Sequence, residues 1–156
     1  MEFKPDRYDR MLLTAVQQNA RMPQSELGER VGLSTAAVNR RLRALTSEGV
    51  IEHYAASINP KAVGYGLTIV VEVKAESERA DLLNEMRESF KVCPQIQQCY
   101  YVTGEFDFVL IFLVRDMEQY VQWTHQLFLS NNNVKAFKTL VVMDRVKTGM
   151  QVTIDR

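Results

Sequence analysis

Between Gln24 and Arg43 the chain runs QSELGERVGLSTAAVNRRLR, and these residues are suited to binding rather than to catalysis. Asn39, Arg40, Arg41 and Arg43 crowd one short stretch, with Ser34, Thr35 and Ala36 just ahead of them. A guanidinium pairs bidentately with guanine or holds a phosphate, and a carboxamide suits adenine. Small hydroxyls at the start of a helix suit phosphate oxygens, which is the role expected of Ser34 and Thr35. No acidic residue occurs from Gly32 to Thr46. That absence matters, because a carboxylate on such a surface would repel a nucleic-acid backbone. The expected contact set is Ser34, Thr35, Ala36, Asn39, Arg40, Arg41 and Arg43, with double-stranded DNA as the partner.

Two short helices must hold these side chains. Leu27 and Val31 lie four apart on the inner face of the first. Gly28 marks a close approach that a side chain would obstruct. Gly32 supplies a left-handed residue to end the first helix, and Ser34 caps the second. The second helix buries Val38, Leu42 and Leu45 and turns Asn39, Arg40 and Arg43 outward. Two helices around a glycine occur in many helical proteins. Here the small residue, the turn glycine and the buried Val fall at relative positions 5, 9 and 15 from Gln24, the spacing of a helix-turn-helix. In that motif the N-terminal half of the second helix enters the major groove. A helix pair of this kind used for protein contact is disfavoured by the acid-free face.

The whole chain sets bounds. Its 156 residues suffice for one ordinary domain or two small ones, and 46% hydrophobic content provides for a packed core. No apolar run approaches the ~18 residues of a membrane span, and MEFKPDRYDR lacks an apolar signal core, so a cytoplasmic, nucleoid-associated protein is expected. Net charge is zero, +2 over residues 1–64 and −2 over 65–156. That weak asymmetry would not by itself suggest nucleic acid. Cys93 and Cys99 are the only cysteines, and His53 and His125 the only histidines. Their spacing matches no zinc site, so no metal is expected. No nucleophile has a readable base beside it, so no enzyme is expected and no catalytic residue is named.

In chain order, Pro5-Asp6 opens a helix bearing Tyr8, Leu12, Ala15 and Val16, which ends before Pro23. The helix pair follows and stops at Gly49. Ile51, Tyr54 and Ile58 are then placed for a short two-stranded wing, so residues 1–64 read as a winged helix-turn-helix with its linker. Residues 65–156 alternate strand and helix: strands over Leu67–Lys74, Ile96–Thr103, Phe108–Val114 and Val134–Met143, helices over Glu78–Phe90 and from Asp116. The order βαββαβ predicts a ferredoxin-like sandwich, making the chain α+β overall. The strand FDFVLIFLV is apolar on both faces beyond Asp107, although helices can cover only one. The uncovered face predicts a dimer through this sheet.

With both halves read, the chain resembles the Lrp/AsnC (feast/famine) family of transcriptional regulators over its full length. The resemblance rests on Asp6 and Asp9, Asn19-Ala20-Arg21, Glu26-Leu27, Val31-Gly32-Leu33-Ser34 and Arg41-Leu42 with Leu45. It continues through Glu48-Gly49-Val50-Ile51, Val102-Thr103-Gly104 with Asp107, and Lys138-Thr139-Leu140-Val141. It implies dimers assembling into tetramers or octamers that wrap DNA, and an amino-acid effector bound between dimers. No other cofactor is expected. The effector positions implied are Tyr101, Thr103, Gly104, Glu105 and Asp107, with Lys135 and Phe137 on the facing stretch. Backbone N–H groups of a glycine turn suit a carboxylate, and Asp107 suits an ammonium. Gly104 and Asp107 suit a plain β-turn equally well. A bulky Phe137 would favour an apolar effector such as leucine or methionine. Gly28 departs from the family's usual Ala, and Arg41, at a family position, could pair structurally. The rival reading is an effector-independent, sequence-tolerant protein that wraps DNA through phosphate contacts.

Overall fold

The computed structural model describes residues 3–155, which divide into two compact units: Met1–Ser57 with Lys147–Arg156, and Ile58–Val146. Residues from Lys147 onward, expected with the second half, therefore pack with the first.

In the first unit, α1 (Arg7–Gln18) begins at a reciprocal cap. Asp6 accepts from the Asp9 amide at 2.9 Å while its own amide donates to Asp9 at 3.0 Å. Two of the helix's orphan donors are satisfied this way. α2 (Gln24–Val31) ends on Gly32 at φ 72°, and α3 (Thr35–Ser47) starts at Ser34, whose hydroxyl accepts from the Ala37 amide at 3.3 Å. Leu12, Leu27, Val38 and Leu45 form the centre of this core, each 2% exposed or less. The pair of turn signals read from the sequence thus sets the angle between α2 and α3.

Gly28 is tighter than expected. A Cβ there would collide with the Leu33 carbonyl of the turn, a backbone atom rather than a yielding side chain. Gly28→Ala is therefore expected to lose about 1–2 kcal/mol despite the roughly 1 kcal/mol that alanine gains in helix propensity. A urea midpoint reads this directly; a variant more stable than the parent would mean the turn yields without strain.

The wing strands do not form. Ile51 tucks into the first core, but residues 52–59 are exposed and pair with no strand among the described residues. No second strand of this unit lies beside them, and a single hairpin arm has nothing to bond with. A short 3₁₀ turn, Pro60–Val63, capped by Asn59, then leads into the second unit.

That unit is a four-stranded antiparallel sheet in the order β2-β3-β1-β4, from β1 (Leu67–Ala75), β2 (Ile96–Tyr101), β3 (Phe108–Val114) and β4 (Val134–Val141). Helices α4 (Ala80–Val92) and α5 (Met117–Thr124) complete the βαββαβ order. Ile69, Val71, Val73, Phe108, Leu110, Phe112 and Val114 are all fully buried with Met86 and Phe90 of α4. On the opposite face, registered side by side, stand Val70 and Glu72 of β1, Val109 and Ile111 of β3, and Lys138 and Leu140 of β4. Apart from exposed Lys138 and Leu140 they are only half-buried, so one face is sealed and the other is an apolar surface bearing a Glu72–Lys138 ion pair at 3.6 Å.

Strands β2 and β4 stop two residues short of their expected ends. At β2 the cause is a bend at Gly104, φ 122°, closed by the Val102 amide donating to the Asp107 carbonyl at 2.9 Å. After α5 the chain widens into one π turn, His125–Leu129, which shifts the helical register. Tyr120, Thr124, Leu127 and Phe128 are buried, whereas Met117 and Val121 are exposed.

Candidate nucleic-acid interface and ligand cleft

On α3 the residues expected to touch DNA divide into two groups. Thr35, Ala36, Arg40 and Arg43 are exposed along one face, and Ser34 is exposed with its hydroxyl engaged in the cap. Arg40 and Arg43 have no ion-pair partner among the described residues, leaving both guanidinium groups available.

Arg41 and Asn39 are held from within. Arg41 Nη1 donates to Asp6 Oδ2 and to Asp9 Oδ1, both at 2.8 Å, and its guanidinium lies 5.5 Å from the centre of the Tyr8 ring. Asp9 is buried, so this cation neutralises a carboxylate beneath the surface. Arg41 thus fastens α3 to the start of α1. The Asp9 amide bond, with help from Arg41, holds the Asp6 carboxyl below its ordinary range. Asn39 donates to Gln24 Oε1 at 3.0 Å, bracing α3 against the first turn of α2. Gln24 was missed in the sequence because no periodicity marks a polar residue that braces another.

In the second unit the two stretches expected to face a ligand flank the same end of β1. Val73 registers against Phe108 on one side and Phe137 on the other, with Tyr101 beyond Phe108, so one row crosses the sheet. Phe137 does not stand free: its ring packs 4.8 Å from Phe128, on the layer under the helices. The π turn places Phe128 there. Lys135 pairs with Glu76 at 3.5 Å. Thr103, Gly104 and Glu105 are exposed on the bend.

Asp107, expected to answer an ammonium group, is buried, and Oδ2 accepts from the Ala75 amide at 2.7 Å and lies 3.3 Å from Lys74 Nζ. This oxygen holds the irregularity at Lys74/Ala75, where β1 and β4 shift register. Removing it would leave a buried amide unsatisfied. Asp107→Ala is expected to cost about 2–3 kcal/mol, whereas Glu105→Ala should leave the melting temperature unchanged. Equal melting temperatures for the two variants would contradict the structural role of Asp107.

An open groove of about 430 Å³ adjoins Tyr101, floored by Phe90, Ile96 and Phe108 and rimmed by Arg87 and Lys91. Arg87, absent from the expected residues, lies 4.6 Å over the Tyr101 ring. Cys93 is buried, which pushes its thiol up, and Cys99 is exposed; both are unpaired.

A capped helix pair with a free basic face, joined to a βαββαβ unit, defines a DNA-binding regulator with a separate ligand-binding half. The comparisons agree. Residues 5–52 match a winged helix-turn-helix DNA-binding model and residues 68–152 the Lrp/AsnC ligand-binding domain. An HTH-type transcriptional regulator of Sinorhizobium fredii is 46% identical over 96% of this chain and 89% of its own. The leucine-responsive regulatory protein of Escherichia coli K12 is 32% identical over 96% and 91%. A transcriptional regulator of Neisseria meningitidis, solved as an L-methionine complex, superposes with a TM-score of 0.90 at 28% identity, over 97% of this chain and 98% of that one. The chain belongs to the Lrp/AsnC family of DNA-binding transcriptional regulators. These are not enzymes. Among the described residues no helix is long and apolar enough to cross a membrane.

Proposed function

We propose that this regulator binds a pseudo-palindromic DNA site as a dimer and that a small amino acid alters that binding. The observation carrying the DNA reading is the acid-free face of α3, where Arg40 and Arg43 are exposed on a helix fixed at both ends of its turn. Arg40 and Arg43 supply guanine or phosphate contacts, and Ser34, Thr35 and Ala36 bring the helix start against the backbone. A second copy covers the half-buried apolar face of the sheet and sets two α3 helices on successive grooves. Tetramers or octamers built from such dimers accord with this reading.

The ligand reading rests on half-exposed Tyr101 beside its groove and on the exposed bend at Thr103, Gly104 and Glu105. Free backbone groups on the bend suit the zwitterion, and the apolar floor beside Tyr101 suits an unbranched or branched aliphatic side chain. Leucine and methionine, named for two relatives, are the first to try. A thermal-shift screen against the twenty amino acids tests it. A ligand at a hundred times its dissociation constant stabilises by ~2.7 kcal/mol, enough to move the melting temperature by degrees. A blank panel would remove the effector from this account.

One observation favours a second reading. With Asn39 tied to Gln24 and Arg41 to Asp6 and Asp9, few free side chains remain to read bases. A sequence-tolerant architectural protein needs only phosphate contacts. Specific-to-nonspecific ratios above ~10³ favour the regulator, and a flat response favours the architectural role.

A further inference from the structure

In the first unit, Gln151 and Val152 bond to the last turn of α1. Gln17 lies in the last turn of α1, and its side-chain amide grips one residue from both sides. Nε2 donates to the Val152 carbonyl at 3.2 Å, and Oε1 accepts from the Val152 amide at 2.7 Å. A neighbouring strand residue would offer the same pair of bonds. In return, Gln151 Nε2 donates to the Gln17 backbone carbonyl at 3.0 Å. That carbonyl is among the last four of the helix, which have no intrahelical partner, so Gln151 acts as a cap supplied from 134 residues away. Two residues further on, Ile154 packs against the core formed by Leu12, Leu27, Val38 and Leu45.

We propose that residues Gln151–Ile154 are a strap that docks on α1 through Gln17 and completes the DNA-binding unit. The family match ends at Val152 and so assigns Gln151 and Val152 to the ligand-binding domain, but their bonds lie with the other unit. Two covalent connections then join the units rather than one. The first is the segment after Ser57, and the second is the nine residues between the end of β4 at Val141 and Gln151. Because β4 carries Lys135 and Phe137, the second connection runs from the ligand-facing strand into the DNA-binding unit. The docking itself does not depend on the effector reading.

Amide hydrogen exchange on the full-length chain tests the strap without any ligand. The Val152 amide is expected to exchange at least about tenfold more slowly than an unstructured amide, the protection that a pair of net hydrogen bonds provides. Gln17→Ala should remove that protection while the Leu12 amide in α1 stays slow. Gln17→Glu keeps the acceptor but loses the donor, and should give an intermediate rate. Ile154→Asp should also release Val152. If Gln17→Ala unfolds α1, the Gln17→Glu variant decides: faster exchange at Val152 alone supports the strap, and no change overturns it. Free exchange at Val152 in the parent protein, or full protection surviving Gln17→Ala in a folded α1, would likewise overturn it.

Discussion

Arg41→Ala is expected to abolish DNA binding by unfolding the first unit, not by deleting a contact. The substitution strands Asp9, whose side chain is 8% exposed, without its cation, and releases Asp6 from the same nitrogen. Breaking a buried pair by removing one partner costs roughly 3–5 kcal/mol. With the Arg41 side chain 25% exposed, water offsets part of this, so about 3 kcal/mol is expected. A unit of this size holds only ~3–5 kcal/mol in total. Circular dichroism and urea unfolding would show lost helix and a transition shifted to low denaturant. Acid separates the causes further. The Asp6 carboxyl titrates below its ordinary 3.8, so the unfolded chain binds the proton more readily and stability falls as pH drops through the folded value. This loss should begin below about pH 4 in the parent, with the Asp9 amide bond as its larger source and Arg41 as the smaller. An Arg41→Ala chain that stays folded and binds DNA weakly would keep Arg41 in the DNA-contacting set.

The Arg40→Ala/Arg43→Ala double variant should show the opposite pattern. Both side chains project from α3 without a partner among the described residues, so helix content and melting temperature should hold. Each removed contact is worth ~1–3 kcal/mol, and together the two should weaken DNA binding by a hundredfold or more. The single variants then sort the roles. A base-reading arginine relaxes preference at one position, whereas a phosphate-binding one lowers affinity evenly and reduces the salt slope by about one. Unchanged affinity in the double variant would mean that α3 is not the recognition helix.

The contrast between Arg40 and Arg41 shows what the sequence revealed. Caps and turns act over three or four residues, so Ser34, Gly32 and Asp6 were legible from their neighbours, and the strands announced themselves by apolar runs. Arg41 is bound to carboxylates 32 and 35 residues away, and two adjacent arginines look alike until the fold points one inward. The positions expected to face a ligand behave similarly. Phe137 and Asp107 lie in the stretches expected, but the π turn stacks Phe128 on the first and a bulge in β1 engages the second. Neither irregularity has a periodic signature. The strands expected at Ile51, Tyr54 and Ile58 do not form, because apolar spacing marks a strand's faces without saying whether a partner exists. Gln17 and Val152 left no trace, since polar residues bonded across the length of the chain follow no pattern.

Selection from a pool of randomised duplexes tests the central claim most directly. The full chain should enrich one motif of two half-sites related by a two-fold axis, with centres one helical turn or a multiple of it apart, as expected for paired α3 helices. Arg40→Ala/Arg43→Ala should lose that enrichment. A pool retained tightly by the parent with no motif enriched would contradict sequence-specific regulation and leave a protein that wraps DNA by its backbone alone.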